Sequence, residues 1–165
     1  MALYTAFKIF DPRVESGKSY LHKPLLNLKF WEYLVSYFPC TIDFEETLDS
    51  GSQYVFGYHP HGILSYGAQL IGGCGKLKMR EKCNDIDIRP VALPIALRVP
   101  IFGDYLLALG TISCSRTSIR NALKERASVA IVVGGAQESL HGEPGKPELI
   151  LDKRKGFVRE AIMAG

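Results

Sequence analysis

The sequence predicts an α/β domain: a mixed or mostly parallel sheet flanked by helices. Three observations carry that expectation. Residues 128–133, "SVAIVV", hold five consecutive apolar residues, as in a strand buried on both faces. Residues 117–127, "TSIRNALKERA", set Ile119, Ala122, Leu123 and Ala127 on one helical face. Strand-like and helix-like stretches alternate along the chain, the pattern of a layered α/β sheet.

The elements follow in order. Residues 25–38 read as apolar helical turns rimmed by lysine, tyrosine and Trp31. Residues 53–57, "QYVFG", are an aromatic and β-branched run ending in glycine, hence a strand. A helix is expected to start after Gly62, weakened at Gly67 and Gly72 by about 1 kcal/mol each relative to alanine. A polar connection over 74–85 leads to a second strand, "IDIRPVAL", at 86–93. Residues 99–110, "VPIFGDYLLALG", predict a helix with Pro100 in its first turn and Gly110 at its end. "TISCSR" (111–116) is a short strand, and Ser115 or Thr117 caps the helix over 117–127. After the strand at 128–133 come the loop "GGAQES" (134–139), a further strand at "ELIL" (148–151) and a last helix over 154–164. In parallel sheets ligands gather at the carboxyl ends of strands. The loops "GYHPHG" (57–62) and "GGAQES" each follow a strand, so they could share one crevice.

Composition narrows the function. The 165 residues are 47% hydrophobic and 22% charged, enough for one domain with a sizeable core. A net charge of +3, without an arginine stripe or aromatic ladder, predicts no nucleic-acid partner. Cys40, Cys74, Cys83 and Cys114 form no CxxC pair, which argues against a zinc ribbon or a secreted disulfide framework and favours reduced thiols facing the cytosol. Residues 1–20 do not read as a signal peptide, because their apolar part is too short and no small-residue cleavage site follows it. Residues 50–75 carry no formal charge and exceed the ~20 residues of a membrane span, but seven are glycine and one is proline. Residues 91–110 contain Arg98 and Asp104, and an ion at mid-bilayer costs roughly 2.5–3.5 kcal/mol. Both segments read as buried or interfacial, and residues 25–38 suit a headgroup boundary.

The chemistry centres on "YVFGYHPHGILSYGA" (54–68), which holds His59 and His61 without a single Asp, Glu, Lys or Arg. Pro60 stiffens the link between the imidazoles, and Gly62 admits a tight turn or a close substrate. In an extended loop the two rings point to the same side, so one can act as base while the other orients or stabilises. A pair of hydrogen-bonded structural histidines is the bland alternative. Zinc ligation would need a third ligand from His141, His22 or a carboxylate, as in a metal hydrolase, but no HExxH is present. No metal is expected. Gly134 and Gly135 can offer backbone N–H groups as an oxyanion hole. Glu138, the only carboxylate between Arg126 and Glu143, can orient an imidazole. Phosphate-loop, GxGxxG and GxSxG motifs are absent.

The blocks "YVFGYHPHGI", "RVPIFGDYLLALGTISCSR", "VVGGAQESL" and "RKGFVREAI", with "FWEYLVSYFP" before them, resemble in order and spacing the type 2 diacylglycerol acyltransferase family. The resemblance covers residues 25–165 and leaves 1–24 as an N-terminal extension. It implies a glycerolipid-acyltransferase-like fold, truncated at its C-terminus, and an enzyme of the cytosolic face of the endoplasmic reticulum membrane or of lipid droplets. The implied partners are acyl-CoA as co-substrate, with no cofactor, and an acylglycerol acceptor, diacylglycerol first; a homo-oligomer is compatible with it. His59 and His61 then form the catalytic motif. The wider glycerolipid pattern places an Asp five residues after its histidine, where this chain has Leu64 or Tyr66, so Glu138 is the candidate partner. The same pattern maps onto Gly110, Ile112 and Arg116. Arg116, before a helix N-terminus, is expected to meet a CoA phosphate; a surface arginine paired to a carboxylate is the alternative. An inactive fragment that binds lipid or acyl-CoA is the rival to catalysis.

Overall fold

The computed structural model describes residues 2–38, 41–59, 67–68, 83, 86–133 and 155–165. Among them, β1 (Val55–Tyr58), β2 (Ile88–Ala92), β3 (Ile112–Ser113) and β4 (Ser128–Val132) form one sheet in the order β1-β4-β2-β3. Every neighbouring pair is parallel. The described helices are α1 (Ala2–Ile9), α2 (Lys23–Leu26), α3 (Lys29–Tyr37), α4 (Pro94–Arg98), α5 (Phe102–Ala108), α6 (Arg116–Lys124) and α7 (Gly156–Ala164). The α/β expectation holds in its parallel form. The strand expected at 148–151 and most of the helix expected after Gly62 lie outside the described residues; residues 67–68 are helical.

Alternation along the strands gives the sheet two unlike faces. The odd-numbered residues Val91 and Val129, with Ile112 of β3, are buried beneath Ile119, Ala122 and Leu123 of α6 and Ala127, with Val55 and Ile131 packed alongside. In β2 the alternation is complete: Arg89 and Val91 are buried, while Ile88, Pro90 and Ala92 are half-buried. Proline is unusual in an interior strand because it lacks a ladder donor. The pairing pattern explains Pro90. The carbonyl of Ala92 accepts from Cys114 N on the β3 side. Pro90, two residues earlier, faces the same way, where β3 has not yet begun, since β3 pairs only with Val91 and Ala92.

Helix α6 begins as the sequence implies. Ser115 is extended at the N-cap, and its hydroxyl accepts from Ser118 N at 3.2 Å. The helix therefore starts at Arg116, so Arg116 belongs to the helix and not to the strand expected at 111–116. Helix α5 departs from its expected start. Pro100 is not in its first turn: α5 opens at Phe102, and Ile101 is forced to φ 67°. The cause is the separate helix α4, with Pro94 in its first turn, which ends at Arg98. The chain must reverse within residues 99–101, and Gly103 then lies so close to the Leu97 carbonyl that a Cβ would approach it to 2.0 Å. The C-terminus of α5 is as predicted. Gly110, at φ +83°, donates to Leu107 O while Thr111 donates to Leu106 O, the paired bonds of a Schellman cap.

Among residues 2–24, Lys8 and Val14 pack on later parts of the chain. Val14 is fully buried against Leu97, Leu106 and Leu107. Lys8, fully buried, reaches Asp11 at 3.2 Å and Asp104 of α5 at 3.3 Å. Arg13 holds the same two carboxylates at 2.6 and 2.7 Å, and Tyr4 donates to Asp104. Two cations thus bracket two carboxylates, which is the condition for burying charge without a large desolvation cost. The guanidinium of Arg13 is the main cause that lowers Asp11 to about 2. On the other side of α5, Trp31 of α3 stacks on Tyr105 at 6.5 Å and donates to Leu25 O at 2.8 Å. The "FWEYLVSYFP" block therefore anchors α3, leaving Phe30, Tyr33 and Tyr37 exposed. No described helix is long and apolar enough to cross a membrane.

Candidate active site

Four parallel strands bring four carboxyl ends to one edge of the sheet. β1 and β4 are hydrogen-bonded neighbours to their last residues, with Val133 N donating to Tyr58 O at 3.2 Å. His59 is the first residue after β1 and is half-buried. Val133, the last described residue after β4, is buried beside it. The two chains thus leave the sheet side by side, one towards "HPHG" and the other towards "GGAQES". Pro60, His61, Gly62, Gly134, Gly135 and Glu138 lie outside the described residues.

Arg116 stands on the same edge at the far side, after β3. Three strand spacings separate β1 from β3, about 14 Å at the usual spacing. Arg116 is 62% exposed at its side chain, and its Nε lies 3.3 Å from Glu160 of α7. Glu160 is buried and also accepts from Arg120 at 2.7 and 3.1 Å. The Arg120 hydrogen bonds are the largest influence on Glu160 and hold its carboxyl below the ordinary range. At the α6 N-terminus, Ser115 donates to the Glu15 carboxylate. Both anion-attracting features predicted there, the guanidinium and the helix N-terminus, face carboxylates of the chain itself. Arg116 thus forms a carboxylate pair of the kind that the surface-arginine alternative names. Neither Glu15 nor Glu160 was legible as a partner, because each meets its arginine or serine across 40 or more residues.

The second feature is a cavity of about 280 Å³ on the even-numbered face of the sheet, reaching this edge at Tyr58 and Val132. Its floor is Phe56 and Tyr58 of β1, Ala130 and Val132 of β4, and Ile88 and Pro90 of β2. Leu21, Leu26, Leu109 and Ala68 wall it, and Ser19 and Asp87 add polar groups to the described lining. Phe56 is in register with Ala130, and Ala130 with Pro90, so these three make one row across the floor. Tyr58, the residue immediately before His59, is in register with Val132 at the carboxyl end. Sequence reading missed this cavity: it treated "SVAIVV" as filled on both sides, whereas the alternation only separates the faces and cannot say which one is filled.

Comparison with known proteins decides the family. A family model described as diacylglycerol acyltransferase matches residues 1–165. The chain belongs to the diacylglycerol acyltransferase family. The match takes in residues 1–24, within which Lys8 and Val14 are buried against α4 or α5. Among its relatives, diacylglycerol O-acyltransferase 2A of Umbelopsis ramanniana is 39% identical over 95% of this chain and 45% of its own length. Diacylglycerol O-acyltransferase 2 of Dictyostelium discoideum is 35% identical over 94% of this chain and 48% of its own. 2-Acylglycerol O-acyltransferase 1 of Bos taurus is 35% identical over 84% of this chain and 42% of its own. The chain thus spans about half the length of the curated relatives it matches. No solved structure matches this member of the diacylglycerol acyltransferase family.

Proposed function

We propose that this chain carries the catalytic half of an acyl-CoA-dependent O-acyltransferase with a glycerolipid-acyltransferase-like fold. It would move a fatty acyl group from acyl-CoA to the hydroxyl of an acylglycerol, diacylglycerol first. The observation that supports the reading is the adjacency of β1 and β4, which starts the His59 and Gly134 loops from neighbouring positions. In the proposed step an imidazole of His59 or His61 takes the acceptor's hydroxyl proton. The alkoxide oxygen bonds to the thioester carbonyl carbon, and backbone N–H groups at Gly134 and Gly135 stabilise the oxyanion. The C–S bond then breaks, and the imidazolium returns its proton to the departing CoA thiolate. Glu138 orients the imidazole, and no metal enters the step. Apolar surroundings keep water from the thioester.

The exposed Phe30, Tyr33 and Tyr37 of α3 support placing this face at a lipid headgroup boundary, on the endoplasmic reticulum or a lipid droplet. The rival reading, a fragment that binds acyl-CoA without turning it over, is favoured by the half-length match.

Single-turnover transfer from radiolabelled oleoyl-CoA to diacylglycerol in detergent separates them. Catalysis predicts product from the wild type, and a loss on the order of 10²–10⁴-fold in His59→Ala and His61→Ala at unchanged thermal stability. Binding of oleoyl-CoA without product supports the rival, and full activity of both variants removes the histidines from the mechanism.

A further inference from the structure

We propose that the cavity on the even-numbered face of the sheet is the acyl-chain site, and that Ala130 sets how long a chain it accepts. This rests on the acyltransferase reading for its substrate but on the cavity alone for its location. The floor runs lengthwise along three parallel strands, from Ile88 near the amino end of β2 to Tyr58 and Val132 at the carboxyl ends. That is four residue steps on β4, from Ser128, the partner of Ile88, to Val132, or about 13 Å. Such an elongated apolar floor suits an alkyl chain better than a compact polar ligand. The two ends differ in a way that sets a direction. His59 follows Tyr58 at the carboxyl end of this floor, so a thioester carbonyl held beside His59 has the floor within reach of its chain. Among the described lining residues Asp87 and Ser19 are polar besides Tyr58, and Asp87 stands at the amino end, just before Ile88. The chain's methyl end therefore stops short of Asp87 and Ser19, against Leu21 and Ile88.

Two positions control the room available. Ala130 occupies the middle of the central row, between Phe56 and Pro90, with the smallest side chain of the three. Any larger residue there would stand across the floor. At the carboxyl end, Gly67 touches the Tyr58 hydroxyl so closely that a Cβ would lie 2.4 Å from it. The tyrosine is thereby held under residues 67–68, and the floor stays open beside it.

The test is displacement of a fluorescent polyene acyl-CoA by stearoyl-CoA or octanoyl-CoA, read on Ala130→Phe and on the milder Ala130→Val, with circular dichroism on each. Single-turnover transfer is measured on the same proteins. The proposal expects stearoyl-CoA to weaken by about tenfold or more in Ala130→Phe, by less in Ala130→Val, and octanoyl-CoA to bind nearly unchanged, in keeping with the sensitivity of apolar pockets to added methylenes. Equal weakening of both donors, or no weakening in a folded variant, overturns it. If Ala130→Phe fails to fold, the graded loss in Ala130→Val decides. Chain-length discrimination without any transfer by the wild type keeps the acyl site and removes the catalytic reading. Transfer that is blind to both substitutions keeps the catalytic reading and removes the acyl site.

Discussion

The two faces of the sheet are made by the same strands and differ by one residue of register, yet they are built for opposite ends. On the odd-numbered face, Val129 is fully buried and Val91 nearly so, under a helix that fills the space above them. On the even-numbered face, Ala130 and Val132 are half-buried and border a cavity. Filled apolar surface stabilises the fold. Apolar surface beside a cavity contributes less and is left available for a ligand. The difference shows that a hydrophobic strand sequence does not by itself report which of these roles each residue has.

The largest effect should come from the filled face. Leu123→Ala removes a buried α6 side chain from the core over the odd-numbered face, and should destabilise by about 2–5 kcal/mol in chemical denaturation. Loss of less than that would mean α6 is not the principal cover. Next comes the ion cluster that holds α5, whose end walls the cavity. Asp11 falls from 3.8 to about 2 on folding, so its contribution is present above the unfolded value and is lost as the pH drops through about 4 towards 2. Asp11→Asn should cost on the order of 2 kcal/mol at neutral pH and flatten the acid limb of stability against pH. An unchanged acid limb would show that the cluster does not act through Asp11.

The sharpest comparison uses one residue type on one strand. Val129→Ala should cost roughly 2 kcal/mol, and Val132→Ala less than about 1 kcal/mol, because only the first leaves a void in close-packed surroundings. Equal costs would erase the distinction between the faces. The smallest effect belongs to Arg116, whose exposed contact with Glu160 should contribute below about 1 kcal/mol. Glu160→Gln should cost more than Arg116→Ala, because it also releases Arg120. If Arg116→Ala instead weakens acyl-CoA binding with no change in stability, the CoA-phosphate role is supported.

Much of this was legible from local pattern. The α6 stripe, the Ser115 cap, the Gly110 stop and the strand at 128–133 are short-range signals, and the structure reproduces them. The start of α5 was not, because the position of Pro100 depends on a close approach between Gly103 and Leu97 that no residue spacing reveals. The roles of Glu15, Glu160 and Asp104 depended on which distant helices meet. The histidine motif was conspicuous for its chemistry, and the structure adds that His59 leaves the sheet beside the end of β4. The cavity was hidden because alternation names two faces without saying how tightly each is packed.

The most direct test is thermal unfolding of Val129→Ala and Val132→Phe with and without saturating stearoyl-CoA. A ligand that binds only the folded chain raises its melting temperature. The account predicts that Val129→Ala melts lower but keeps the full ligand-induced rise, while Val132→Phe melts near the wild type and loses most of that rise. A Val132→Phe protein that keeps the rise, or a Val129→Ala protein that loses it, would contradict the division of labour between the two faces.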